Sequence, residues 1–214
     1  PSLRRQVIDW LGPGRLWEFY GSRETGTVSV LRPEEQLVHP DSVGRPVAGV
    51  DLRLVRPPGD PAAPGEIFVR SPTIMAGYWN PVTGATEWPG TADGFLSVGD
   101  LGEQDGDGGP LRLVDRMHDT IISGGVNVYP AEVERALHEH PDVAGAVVFG
   151  VADPDWHQRV AAVVVRAAGA AGAAPVDEDQ LRAFLRARLA PHKIPRQIVF
   201  VSAGPYTVAH MSIE

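Results

Sequence analysis

The chain has 214 residues, 43% of them apolar, with 19 lysines and arginines against 27 aspartates and glutamates, a formal net charge of -8 and no cysteine. That length can bury one large core or two modest ones, and the acidic balance, with no dense basic run, argues against nucleic acid as a partner. The absence of thiols excludes disulfides and thiolate metal sites, so any metal must sit on oxygen or imidazole. No apolar run approaches the roughly 20 residues of a membrane span, and the N-terminal PSLRRQVIDWLG lacks the apolar centre of a signal peptide, so a soluble, cytoplasmic protein is expected.

In chain order, WEFYGSRETG reads as an aromatic-rich strand followed by a polar turn. From Gly44 to Val114 short apolar runs such as VDLRLV and GEIFVRS alternate with Pro and Gly clusters, the pattern of a β-rich region. DGFLSVGDLG places Asp100 at a strand end, and EQDGDGGPLRLVDR reads as a turn and a strand that close a first domain near Asp115. Two adjacent glycines in ISGGVN then stand between an apolar triplet and a helix opened by Pro130, whose missing N–H costs nothing at the first helical position. Glu132 and Glu134 are placed in the first turn, where the helix dipole favours anions, and Val133, Ala136 and Leu137 share one face. AGAVVFGV and RVAAVVV are β-branched strands, and AAGAAGAAP, from Ala167 to Pro175, reads as a surface loop. Asp177 with Gln180 forms a capping box for a second helix with an apolar stripe of Leu181, Phe184, Leu185 and Leu189, and RQIVFVS supplies a last strand. The fold class expected is α+β, with a β-rich domain over 1–115 and a small α+β domain over 116–214.

Three short segments carry chemistry as well as turns. In YGSRE, Gly21 after Tyr20 permits close backbone approach, and Glu24 offers a carboxylate to a divalent cation. Asp100 in SVGD can accept two ribose hydroxyls. The Gly124 and Gly125 pair can turn backbone N–H groups toward a ligand, without the residues of a P-loop. Each segment taken alone is also an ordinary turn.

In order and spacing, YGSRE, SVGD, DRMHDTIISGGVNVYPAEVE and PHKIPRQIVFV resemble the C-terminal part of the adenylate-forming superfamily, which includes acyl-CoA synthetases, luciferases and peptide-synthetase adenylation domains. The resemblance implies the end of a large AMP-binding domain over 1–115 and a small mobile domain over 116–214. It implies a nucleotide site in which Tyr20 lies against adenine with Gly21 and Arg23 beside it, Asp100 and Arg116 hold the ribose, and Glu24 binds the magnesium of ATP. It makes His118 a hinge, and Gly124 and Gly125 a loop that serves the thioester-forming step. ATP or AMP, magnesium and CoA are the implied cofactors, and a carboxylic acid of fatty or other hydrophobic type is the implied substrate.

The same comparison marks departures. A phosphate-gripping loop that ends in Pro-Lys-Gly, in a family member's upstream portion, has no counterpart in this chain. PYTVAHM, Pro205 to Met211, stands where the family has Pro-x-Thr-x-x-Gly-Lys, so His210 takes the glycine position and Met211 that of a lysine that stabilises charge on the attacked carboxylate. Arg23 replaces a threonine that contacts phosphate. In PDWHQRVAAVVV, His157 and Gln158 replace a glycine and a glutamate near the CoA side. The expectation is the C-terminal portion of an acyl-CoA synthetase, unable to adenylate by itself and partnered by an N-terminal piece or a second chain. The alternative is a non-catalytic nucleotide-binding or acyl-CoA-binding relative or partner subunit. Uncovered apolar surface in the first domain makes a homo-oligomer a further expectation.

Overall fold

The computed structural model describes residues 2–167 and 176–201. The chain divides into two compact units, residues 1–117 and 118–214. The division falls two residues beyond Arg116 of the expected second domain because that arginine still belongs to the first unit's sheet, where it pairs in register with Asp100.

The first unit opens with a helix that the sequence reading did not anticipate, α1 (Ser2–Leu11). Arg4 fastens it with a two-pronged contact to the Glu18 carboxylate, at 2.9 and 2.8 Å, the geometry that matches a planar guanidinium to a carboxylate. Strands β1 (Glu18–Ser22), β2 (Gly26–Leu31) and β3 (Arg45–Pro46) form one antiparallel sheet. Strands β4 (Asp51–Val55) and β5 (Gly65–Arg70) lie beside β8 (Leu96–Gln104) and β9 (Leu111–Arg116) in a second, four-stranded sheet. Between β5 and β8 the chain makes a small hairpin, β6 (Tyr78–Asn80) and β7 (Ala85–Glu87). In β5 alternation puts Ile67 and Val69 inside, where they meet Val28 of β2 and Leu111 of β9 in a common core. The period of two in GEIFVR therefore specifies which strand face joins the two sheets.

The second unit runs β10 (Ile121–Ser123), β11 (Val126–Val128), α2 (Pro130–His138), β12 (Val143–Asp153), β13 (His157–Arg166), α3 (Glu178–Arg186) and β14 (Gln197–Val201). Strand β13 is central: β12 pairs with it antiparallel, β14 parallel, and β10 meets it at Ser123 and His157. Val133, Ala136 and Leu137 of α2 and Leu181 and Leu185 of α3 are buried in one core with Val148, Val160 and Ile198, as the helical spacing predicts. The Asp177 carboxylate accepts from Gln180 N–H at 2.8 Å, and the Gln180 side chain accepts from Asp177 N–H at 2.9 Å, completing the capping box.

Two local readings change. Glu132 alone lies in the first turn of α2. It meets Lys193 Nζ at 2.6 and 2.7 Å. Glu134 lies deeper in the helix, and its carboxylate accepts from the Val148 N–H at 2.8 Å. That bond satisfies a donor on the outer edge of β12, a group that otherwise costs free energy when water is excluded. The two glycines sit at the tip of the β10–β11 hairpin, separated from the helix by β11. Gly124 and Gly125 have φ of 60° and 81°, the paired left-handed geometry of a tight two-residue hairpin turn.

Candidate functional site

The first unit brings Tyr20, Asp100 and Arg116 together. Tyr20 and Asp100 are 80 residues apart, and the phenol donates to Asp100 Oδ2 at 2.7 Å. The other oxygen, Oδ1, lies 3.5 Å from Arg116 Nε, and the Asp100 side chain is largely buried where that of Arg116 is 74% exposed. Burial first, and the bond to Asp100 second, hold the Tyr20 phenol far above the ordinary tyrosine range, so it stays a donor. With one lone pair of Oδ2 engaged by the phenol and Oδ1 in an ion pair, the carboxylate retains acceptor capacity for vicinal hydroxyls.

Four residues after Tyr20, the turn at Ser22–Gly26 presents Glu24. Ser22 Oγ accepts from the N–H groups of Glu24 and Thr25 at 3.2 and 3.1 Å. Ser71 and Thr73 donate their hydroxyls to the Thr25 carbonyl at 3.0 and 3.3 Å, and Met75 N–H donates to the Glu24 carbonyl at 2.7 Å. Gly21 has a reason internal to this turn. A Cβ there would stand 2.1 Å from the Gly26 carbonyl oxygen, beside a β-bulge between Tyr20 and Gly21.

The Glu24 carboxylate faces solvent and accepts from Tyr78 OH at 3.3 Å. The Ser22 hydroxyl first and the backbone N–H of Glu24 itself second, with the Tyr78 phenol a smaller contributor, hold that carboxyl below the ordinary glutamate range. Arg23 beside it is exposed. No group of three or more His, Cys, Asp and Glu side chains that could cage a metal occurs among the described residues. A lone, open carboxylate nevertheless fits magnesium that arrives with ATP, since that ion takes one or two carboxylates and fills its octahedron with phosphate oxygens and water.

The structure leaves the remaining sequence-predicted residues in the second unit. His118 is that unit's first residue, in a single 3-10 turn over Met117–Asp119. The N–H of Gly124 donates to the Trp156 carbonyl at 2.9 Å, so this amide is committed within the protein, whereas a Cβ on Gly125 would meet open space. His157, where the family resemblance has glycine, is the one non-glycine residue with positive φ among those described, at 65°. The Gln158 side chain accepts from Ile122 N–H at 2.8 Å and braces β10. His210 and Met211 lie outside the described residues. Sequence reasoning missed Ser71, Thr73, Met75 and Tyr78. The Ser22 turn was open to it through the short spacing of a hydroxyl and the N–H groups that follow.

A tyrosine-held aspartate paired with an arginine, beside a turn that presents a carboxylate, can recognise a ribose and a metal-bound phosphate. Residues 1–79 match the model of a family described as AMP-binding enzyme, and residues 132–209 match the AMP-binding enzyme C-terminal domain. The chain belongs to the adenylate-forming superfamily. Within it, the homologues are acyl-CoA and aryl-CoA ligases. A feruloyl-CoA synthase of Amycolatopsis sp is 43% identical over 169 residues, 78% of this chain and 33% of that protein. A 2-succinylbenzoate--CoA ligase of Geobacillus kaustophilus is 42% identical over 198 residues, 91% of this chain and 39% of the relative. Among solved structures, o-succinylbenzoate CoA synthetase of Bacillus subtilis bound to its acyl-adenylate OSB-AMP superimposes with a TM-score of 0.76 at 34% identity, over 94% of this chain and 40% of that one. The same enzyme is known with ATP and a magnesium ion. The chain thus spans only 33% and 39% of the length of these two curated relatives.

Proposed function

We propose that this chain is the C-terminal portion of an acid–CoA ligase. The complete protein would convert a carboxylic acid, ATP and CoA into acyl-CoA, AMP and diphosphate through an acyl-adenylate. The observation that carries the reading is the Tyr20–Asp100–Arg116 constellation beside the braced Glu24 turn. In this reading Tyr20 lies along the adenine, Asp100 accepts from the ribose hydroxyls with Arg116 as an adjoining donor, and Glu24 takes the magnesium. Splitting acyl activation into adenylation and thiol transfer replaces one difficult step with two easier ones. His118 serves as the pivot between the two steps, and the glycine-tipped hairpin serves the second.

The first unit's exposed Trp10, Trp17 and Phe19, at 84, 50 and 68%, suit a surface to be covered by the remainder of such a protein. Calorimetric titration with AMP tests the nucleotide reading. We expect binding that Asp100→Ala weakens about ten- to hundredfold, the range for a bond to a charged group. Acyl-CoA formation is expected only when a relative's N-terminal portion is fused ahead of the chain. Turnover by the 214-residue chain alone would sink the proposal.

A second reading, a nucleotide-binding or acyl-CoA-binding relative without adenylation, is favoured by Met211 at the lysine position. A large gain of adenylation in fused Met211→Lys protein speaks for an altered enzyme. No gain speaks for the binding role.

A further inference from the structure

We propose that Tyr78 is a positioning residue: its phenol holds the Glu24 carboxylate in the orientation that receives the magnesium of MgATP. Residues 71–78 thereby become part of the phosphate side of the nucleotide site. The inference rests on the nucleotide reading above and goes beyond it, because none of the motifs that carry that reading contains these residues.

The geometry has two layers. The backbone of the Glu24 turn is fixed from outside by Ser71, Thr73 and Met75, whose donors occupy the Thr25 and Glu24 carbonyls. Gly26 is packed so closely on Thr73 that a Cβ there would lie 2.4 Å from the Thr73 hydroxyl. These contacts set where the Glu24 side chain begins, and the Ser22 hydroxyl and the Glu24 N–H meet its carboxylate from the turn itself. The second layer is Tyr78, three residues beyond Met75, whose O–H donates to Glu24 Oε1 at 3.3 Å. A carboxylate has about four acceptor positions, so these donors leave capacity for a hard cation. Tyr78 is 53% exposed, so core packing does not dictate the direction of its hydroxyl, and Tyr78→Phe removes the donor with little threat to folding.

A glutamate that must find its metal-binding rotamer at each encounter loses side-chain entropy that a prepositioned one has already lost. At 3.3 Å the bond is long for O–H···O. The expected effect is therefore about three- to tenfold in affinity, the range of one ordinary hydrogen bond.

The test uses the whole 214-residue chain, with AMP, ATP and manganese chloride as probes and calorimetry as the readout. Wild type should bind AMP without metal and should bind ATP more tightly when manganese is added. Tyr78→Phe should keep its AMP affinity within about twofold and lose about three- to tenfold of the manganese-dependent gain for ATP. Glu24→Gln should abolish that gain, and the double variant should fall no further, the non-additive signature of one residue acting through the other. Equal losses for AMP and ATP in Tyr78→Phe would show a merely structural role and overturn the proposal, as would an unchanged manganese-dependent gain. Wild type that binds AMP but gains nothing from manganese would overturn this inference and leave the nucleotide reading standing. Absence of AMP binding would overturn both.

Discussion

Replacing His157 with glycine should make the second unit more stable, although it deletes a side chain. His157 has φ of 65°, a region that costs an L-residue about 1–2 kcal/mol. The surroundings impose it. Asp153 Oδ1 accepts from the N–H groups of Asp155 and Trp156 at 3.1 Å each. The Trp156 carbonyl accepts from Gly124 and Gln158 at 2.9 and 2.7 Å, and His157 itself is the single rung that joins β13 to β10. Its side chain is exposed and adds little to offset the strain. Glycine gives back about 0.5–1 kcal/mol through the greater freedom of its unfolded chain. The net gain is about 0.5–1 kcal/mol, or a rise in Tm of about 2–8 °C for a unit of this size. His157→Ala keeps the Cβ and should show no such rise. Thermal unfolding of the three proteins, followed by circular dichroism and by urea titration at 25 °C, measures the differences. A lower Tm for the glycine variant than for wild type would refute the argument that the local hydrogen bonds, rather than the histidine, fix this backbone.

Asp177→Ala should cost about 1 kcal/mol by removing the capping box from α3, read as a lower urea midpoint with an unchanged slope. Glu134→Ala should cost about 1–3 kcal/mol by orphaning the Val148 amide, whereas Glu134→Gln keeps an acceptor and should lose less; hydrogen exchange at Val148 separates the two. The Asp153 carboxyl titrates below the ordinary aspartate range: local desolvation acts to raise it, but the N–H donors of Asp155 and Trp156 together with Arg159 outweigh that effect. A depressed folded-state value contributes stability that is present above the unfolded-state value and is lost as pH falls through the folded one. The stability gap between wild type and Asp153→Asn should therefore narrow in acid, and a gap that stays constant from neutrality to pH 2 would count against it.

Features carried by short-range pattern were legible in the sequence. The capping box of α3 and the stripe of Leu181 and Leu185 both depend on neighbours a few residues away. The role of Glu134 was not legible, because its partner Val148 comes from the far side of a turn and a strand pairing. The site divides along the same line. Tyr20, Glu24, Asp100 and Arg116 could be named because short motifs carry them, whereas Tyr78 reaches Glu24 across 54 residues with no periodicity to announce it. The strain at His157 was invisible in the residue itself. Only its occupation of a position where the family has glycine hinted that the backbone there is left-handed.

Lys193, which closes onto Glu132 in the second unit, is the only lysine in the sequence. The ε-amino chemistry of these 214 residues is therefore confined to one place, on a side chain only 21% exposed and held by a carboxylate at 2.6 Å. Amine-directed reagents at a pH that spares histidine have a single internal target. A dye or cross-linker attached there would report on the junction of α2 with the turn before β14 and on nothing else.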